Sequence, residues 1–210
     1  MIKTGRFITL EGGEGTGKST LIQGLKTEFE RRGLNVCVTR EPGGTLLAEH
    51  VRALALNPPE NEIWSPLSHA LLMNTARSDH LQKLIRPALA RGDWVLCDRF
   101  ADSTRAYQSI DGVSLETLMT IENAVIGETQ PDMTLVLDAE PAALAERRNQ
   151  RGTQDVFEAK DLAFHEKVRA AFLAIADAEP DRCVVLNALQ SPPQVLASAL
   201  EAIDARLEAS

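Results

Sequence analysis

The 210-residue chain has no apolar run approaching the roughly 18 residues that a membrane-crossing helix needs. It also has no excess of positive charge: 22 Lys and Arg stand against 30 Asp and Glu, a formal net charge of −8. That balance argues against nonspecific binding to nucleic acid or to a membrane surface, so any anionic ligand must be met by particular arginines. Cysteine is scarce. Cys37, Cys97 and Cys183 each lie in a short apolar, β-branched run with no Cys-x-x-Cys pair, the pattern of small buried strand residues. His50, His69, His80 and His165 lack the spacing of zinc ligands. The first residues show neither the apolar core nor the cleavage site of a signal peptide. The expectation is a soluble, cytoplasmic protein that takes no nucleic acid or membrane as partner. No internal repeat, low-complexity tract or interdomain linker interrupts the sequence, so one domain over 1–210 is expected, long enough for a full core.

What is present is an alternation. Apolar strand-like runs recur at about 6–11, 35–39, 94–98, 133–138 and 182–187, with helical stretches between them. Near-continuous runs such as Trp94-Val95-Leu96-Cys97 and Leu135-Val136-Leu137 suit strands buried on both faces. The pattern predicts an α/β fold of three layers, a five-stranded parallel sheet flanked by helices on both sides. Ligands in such sheets bind at the carboxyl ends of the strands.

The first of those ends carries Gly12-Gly13-Glu14-Gly15-Thr16-Gly17-Lys18-Ser19-Thr20, which fits the phosphate-binding loop G-x-x-x-x-G-K-[ST]. Glycines let successive backbone N–H groups turn toward one anion, and the helix beginning near Gly17 adds its positive end. Lys18 is placed to reach the β- and γ-phosphates, and the Ser19 hydroxyl to ligate Mg²⁺. A nucleoside triphosphate is the expected ligand.

Other strand ends add chemistry. Thr39-Arg40-Glu41-Pro42-Gly43-Gly44 follows the second strand, and Arg40 can hold a second phosphate; a turn with a solvated arginine is the competing reading. The third strand ends at Asp98-Arg99, a magnesium-organising carboxylate beside a guanidinium able to grip phosphate in bidentate fashion. A helical stretch over about 66–91 puts Met73 and Arg77 four apart on one face, either an apolar floor with a cation at its edge or a core methionine with an exposed arginine. If 101–108 is helical, Ser103 and Tyr107 share a face, with Thr104 and Gln108 on its neighbour. These polar groups suit the sugar and base edge of a nucleoside, and equally an ordinary outer face. Arg147, Arg148 and Arg151 cluster at i, i+3 and i+4 spacings before Gly152, as a cationic lid over phosphates or as a plain helix C-terminus.

In this order, Glu11–Ser19, Thr39–Gly44, and Asp98-Arg99 with Ser103-Thr104 and Ala106-Tyr107-Gln108 resemble the bacterial type of thymidylate kinase, a family of P-loop nucleoside monophosphate kinases. The resemblance runs from about Phe7 to the final helix. It implies ATP- and Mg²⁺-dependent phosphorylation of dTMP to dTDP by a homodimer, with a lid at about 147–158. By the same resemblance, Glu14 meets the deoxyribose 3′-hydroxyl, and Arg40 and Arg99 meet the acceptor phosphate. Arg77 bonds a thymine carbonyl, Tyr107 lies near the sugar, and Gln108 contacts the base region. Gly12 to Thr20 hold the ATP phosphates with Arg147, Ser19 and Asp98 serve the metal, and Lys18, Arg99, Arg147 and Arg151 are catalytic. The chain departs from the family where many members stack phenylalanine on the base and it has Met73. It departs again at Asp155-Val156-Phe157-Glu158, which lacks a lid arginine, and at Asn187-Ala188, where Asp-Ala is usual. Met73 keeps open a kinase of relaxed pyrimidine specificity. A GTP-dependent switch is disfavoured because no Asn-Lys-x-Asp segment occurs.

Overall fold

In the computed structural model, which describes residues 5–59, 62–144 and 160–207, five strands form one wholly parallel sheet. They are β1 (Arg6–Glu11), β2 (Val36–Arg40), β3 (Trp94–Asp98), β4 (Met133–Asp138) and β5 (Cys183–Asn187), in the order β2-β3-β1-β4-β5. Among the described residues the helices include α1 (Lys18–Arg31), α2 (Leu46–Leu56), α3 (Pro66–His80), α4 (Arg86–Ala90), α5 (Ala101–Ile110), α6 (Leu115–Ile126), α7 (Leu162–Ala178) and α8 (Pro192–Leu207). The expected three-layer α/β sheet is therefore the one observed.

Strand alternation builds the layers. Ile8, Leu10, Trp94 and Leu96 point to one face, where they meet Leu25 and Phe29 of α1 and Ala199 and Ile203 of α8. Phe7, Val95 and Cys97 point to the other, onto Phe100 and Ile126. Both faces of the central strands are dry, which is why they read as continuous apolar runs rather than as alternation. Burying a side chain such as Phe29 contributes roughly 1.5–3 kcal/mol. Cys97 and Cys183 are buried and Cys37 half-buried, all three as free thiols.

Two boundaries differ from expectation. Arg40 ends β2 rather than following it, because the Glu41 N–H still donates to the Asp98 carbonyl (2.9 Å) and prolongs the ladder. The long helical stretch is α3 and α4 joined by a π turn at Leu81–Ile85. Pro87 has no N–H to donate and its ring crowds the carbonyl four residues earlier, which a locally widened turn relieves.

The register sets the site. Arg40 lies beside Asp98, and Asp98 beside Leu10, so the ends of β2, β3 and β1 come level at one edge of the sheet. Among the described residues no helix is long and apolar enough to cross a membrane.

Candidate functional site

The loop after β1 is held in shape by contacts only its own residues allow. Gly12 has φ +130°, and a Cβ there would come within 2.4 Å of the Leu137 carbonyl oxygen. The Thr16 hydroxyl donates to the Gly13 carbonyl at 2.9 Å and closes the loop on itself. Lys18 Nζ crosses it, donating to the carbonyls of Gly12 (3.1 Å) and Gly13 (3.0 Å). Burial lowers the lysine's pKa and Arg99 adds to this, while Glu14, Asp98 and Glu11 oppose it. Helices α2, α3, α6 and α7 each start with a side-chain cap, from Thr45, Ser65, Ser114 and Asp161. Helix α1 starts at Gly17 with none. Its first N–H groups therefore face the loop and suit an anion.

Beside the loop opens a cleft of about 220 Å³. Sequence reasoning singled out much of its lining. Glu14, Gly15, Gly17, Lys18 and Ser19 come from the loop, and Asp98 and Arg99 from the end of β3. Arg40, Met73 and Arg77 line one side, and Ser103, Thr104, Tyr107 and Gln108 the other. Gly12, Gly13 and Thr16 shape the loop without lining this cleft, and Thr20 is exposed in the first turn of α1. Arg147, Arg148 and Arg151, with the lid expected at 147–158, lie outside the described residues.

Arg99 is the hub. Its φ of +68° is the single positive value outside glycine among the described residues, and its N–H donates to the Leu10 carbonyl at 2.9 Å. That turn throws the side chain back over the loop. There it donates to Glu14 Oε1 at 2.5 Å and to Ser103 Oγ at 3.0 Å, with its guanidinium 5.3 Å from the centre of the Tyr107 ring. The Tyr107 hydroxyl donates to the same Glu14 oxygen at 3.2 Å. Burial works against the charge of Arg99, but Glu14, Glu11 and Asp98 outweigh it and the cation is secure. Burial likewise pushes the Tyr107 phenol up, so it remains a donor at neutral pH.

Ser19 Oγ donates to Asp98 Oδ2 at 3.1 Å, bringing a hydroxyl and a carboxylate together at the lip of the loop. Two hard oxygen donors with open space beside them fit Mg²⁺, which keeps several waters and takes few protein ligands.

On the far wall, the reading of Arg77 as an exposed cation fails: only 2% of it is accessible. It donates through Nε to Glu41 (2.8 Å), through one terminal nitrogen to Asn74 (2.9 Å), and through the other to the Phe100 carbonyl and Thr104 hydroxyl (both 3.0 Å). Met73 packs with Ala55 and Leu56 as an apolar floor beside it. Arg40 keeps half its side chain in solvent and pairs with Glu49 at 3.0 Å. Glu49 also accepts the Gly44 N–H at 3.0 Å, the main cause of its lowered pKa.

Sequence reasoning missed several groups. Glu41, Arg52, Leu56 and Phe100 all reach the cleft, and Glu11 organises it from behind. The Glu11 carboxylate accepts the Phe100 N–H at 2.7 Å, the Ser103 N–H at 3.3 Å and the Ser103 hydroxyl at 2.6 Å, so it caps α5, whose own N-cap residue provides no side-chain acceptor. The available signal was position: Glu11 and Glu41 adjoin the ends of strands that already carried candidate residues.

A family model described as thymidylate kinase matches residues 10–199. A thymidylate kinase of Caulobacter vibrioides is 48% identical over 204 residues, covering 97% of this chain and 98% of the relative. One from Pseudomonas fluorescens is 48% identical over 205 residues, covering 97% and 95%. Among solved structures, a thymidylate kinase from Ehrlichia chaffeensis superposes with a TM-score of 0.76 at 33% identity, over 95% of this chain and 98% of that one.

Proposed function

The chain belongs to the thymidylate kinase family and is a phosphotransferase that converts dTMP to dTDP, and from that premise we propose that its donor is ATP used with Mg²⁺, and that the residues around the cleft divide the work as follows. The loop from Gly12 to Thr20 cradles the ATP phosphates. Lys18 and Arg99 carry the catalytic positive charge, and Arg40 and Arg99 hold the dTMP phosphate. Glu14 and Tyr107 take the sugar. Met73, Arg77 and Gln108 hold the base, and Ser103 and Thr104 complete the dTMP site. Ser19 and Asp98 would hold Mg²⁺, which would supply neutralisation of the phosphate charge when bound. Arg147 and Arg151, on the lid at about 147–158, add cations over the phosphates. The observation carrying this division is the Lys18–Arg99–Glu14 cluster, which joins the phosphate loop to the apolar floor through one cleft.

In the reaction an oxygen of the dTMP phosphate forms a bond to the γ-phosphorus, and the bond from that phosphorus to the β–γ bridging oxygen breaks, releasing ADP. The attacking oxygen is already anionic and needs no strong general base. Catalysis is positioning and neutralisation of spreading charge. Arg99 sits between the loop residue Glu14 and Ser103, and from there its guanidinium is proposed to meet the dTMP phosphate. Among the described residues Gln108 Nε2 is buried without a hydrogen-bond partner, and Arg77 keeps one N–H beyond its four protein bonds. Two such donors suit the carbonyl oxygens of thymine.

The protein is proposed to be a single domain over 1–210 that works as a cytoplasmic homodimer. Free cysteines suit a reducing compartment. Leu67, Leu71, Leu115 and Met119 leave an exposed apolar face on α3 and α6, which pack together, and that supports pairing of two copies. The test is ADP release from ATP with dTMP, dUMP or dCMP as acceptor, with and without Mg²⁺. Turnover is expected to need both dTMP and Mg²⁺; equal ADP release without an acceptor would overturn the proposal.

A further inference from the structure

Behind Arg77 runs a chain of buried polar groups that phosphoryl transfer does not use. Glu41 Oε2 accepts Arg77 Nε at 2.8 Å, and Glu41 Oε1 meets His80 Nδ1 at 3.0 Å. His80 Nε2 meets the Thr39 hydroxyl at 2.7 Å. His80 is wholly inaccessible and Glu41 nearly so. A neutral imidazole satisfies every link, with Nδ1–H donating to the carboxylate and Nε2 accepting from Thr39. The loop backbone closes over this chain at Gly44: at φ +85°, a Cβ would lie 2.4 Å from His80 Nε2 and 2.5 Å from Thr39 Oγ1.

We infer that Glu41, backed by His80, is a positioning residue that orients Arg77 to read the base of the acceptor nucleotide. This rests on the assignment of Arg77 to the base. A guanidinium has five N–H donors in a rigid plane. Among the described residues Glu41, Asn74, Phe100 and Thr104 take four of them, which leaves one N–H on the nitrogen shared with Asn74. One donor in a fixed direction complements the carbonyl at C4 of thymine or uracil and opposes the amino group of cytosine. Its direction depends on rotation about the Cδ–Nε axis, and among the described residues Glu41 is the one carboxylate paired with the guanidinium. His80 fixes Glu41 in turn through its second oxygen. A buried ion pair adds little net stability compared with an apolar pair of the same volume, whereas a reading group displaced by about 1 Å costs up to about 100-fold.

The alternative is that Glu41 only balances a buried charge, and two substitutions separate the roles. Glu41→Gln loses the charge but keeps the length. Its amide oxygen still accepts Arg77 Nε, and its NH₂ donates to His80 Nδ1, which takes the other tautomer. Glu41→Asp keeps the charge but withdraws it by one methylene. The measurement is kcat/KM for dTMP and for dCMP, with KM for ATP and thermal unfolding alongside. Positioning predicts that Glu41→Gln holds the dTMP:dCMP ratio within about 3-fold, while Glu41→Asp lowers it at least about 10-fold through KM for the acceptor, leaving KM for ATP unchanged. The reverse order, unchanged ratios in both, or a parallel fall for every substrate would overturn it. Arg77→Ala distinguishes the underlying reading. If it leaves the ratio intact, the base assignment of Arg77 fails and this inference with it. If Arg77→Ala lowers the ratio and Glu41→Asp does not, the inference alone fails.

Discussion

Glu11 offers a test in which one substitution is read through pH. It ends β1 with no exposure, and burial pushes its pKa up to about 7 from the ordinary 4.5; Asp102 adds to the rise, while Arg99, Ser103 and the Phe100 N–H oppose it. Because the folded value lies above the unfolded one, the folded chain binds more protons between them. Stability is greatest below the unfolded value and falls as pH rises through about 7. That gap corresponds to about 3 kcal/mol, at 1.36 kcal/mol for each pH unit. Glu11→Gln removes the titrating proton and keeps the geometry: its amide oxygen accepts the Phe100 and Ser103 N–H groups, and its NH₂ donates to Ser103 Oγ. The stability of Glu11→Gln minus that of wild type is therefore expected to grow by about 3 kcal/mol between pH 4.5 and about 8. Urea unfolding at steps across that range, followed by the fluorescence of Trp94 packed on Phe29 at 4.7 Å, gives the difference directly. A difference that stays flat, or shrinks toward pH 8, refutes the account of Glu11 as a buried acid whose ionisation works against the fold.

Lys18→Ala and Arg99→Ala are each expected to lower kcat by at least about 100-fold, as loss of one preorganised donor does, and near-wild-type turnover of either removes it from the catalytic set. Gly44→Ala is expected to cost about 2 kcal/mol or more and to raise KM for dTMP, because the new methyl meets His80 and Thr39. Gly33→Ala is the control: φ is +76° and an added Cβ would meet nothing within 4 Å, so backbone strain alone acts, at about 1 kcal/mol. Equal urea midpoints for the two variants would contradict the collision. Arg105→Ala should cost about 3 kcal/mol or more, because it strands the Glu122 carboxylate that Arg105 Nε holds at 2.7 Å with both side chains buried. A loss below about 1 kcal/mol in urea unfolding would show that the pair is dispensable.

The layers and the phosphate loop were legible because their signals are local. A strand buried on both faces must be apolar along its length, and a loop whose backbone turns toward an anion must be glycine-rich. The order β2-β3-β1-β4-β5 then brings Arg40, Asp98 and the loop to one edge, so residues chosen separately along the chain proved to be neighbours. Arg77 was harder to read, since a charged residue on an amphipathic helix points to solvent by default. Its burial depends on Glu41, Phe100 and Thr104, all more than twenty residues away, and no local pattern reports partners at that distance. One trace was nevertheless present. Asn74, Arg77 and His80 recur at three-residue intervals among Ala70, Met73 and Ala76, so a single stripe of α3 carries amide, guanidinium and imidazole where a core face would be apolar. A helix that buries such a stripe must find its acceptors elsewhere. Glu41, one residue beyond a strand end and followed by Pro and two Gly, was the acid placed to serve. The same logic covers Glu11 and the uncapped start of α5: a helix whose first N–H groups lack a local acceptor points to one supplied by the fold. Such unmet hydrogen-bonding demands, more than the identity of any single charged residue, are where a sequence announces that its polar groups have been turned inward to form a site.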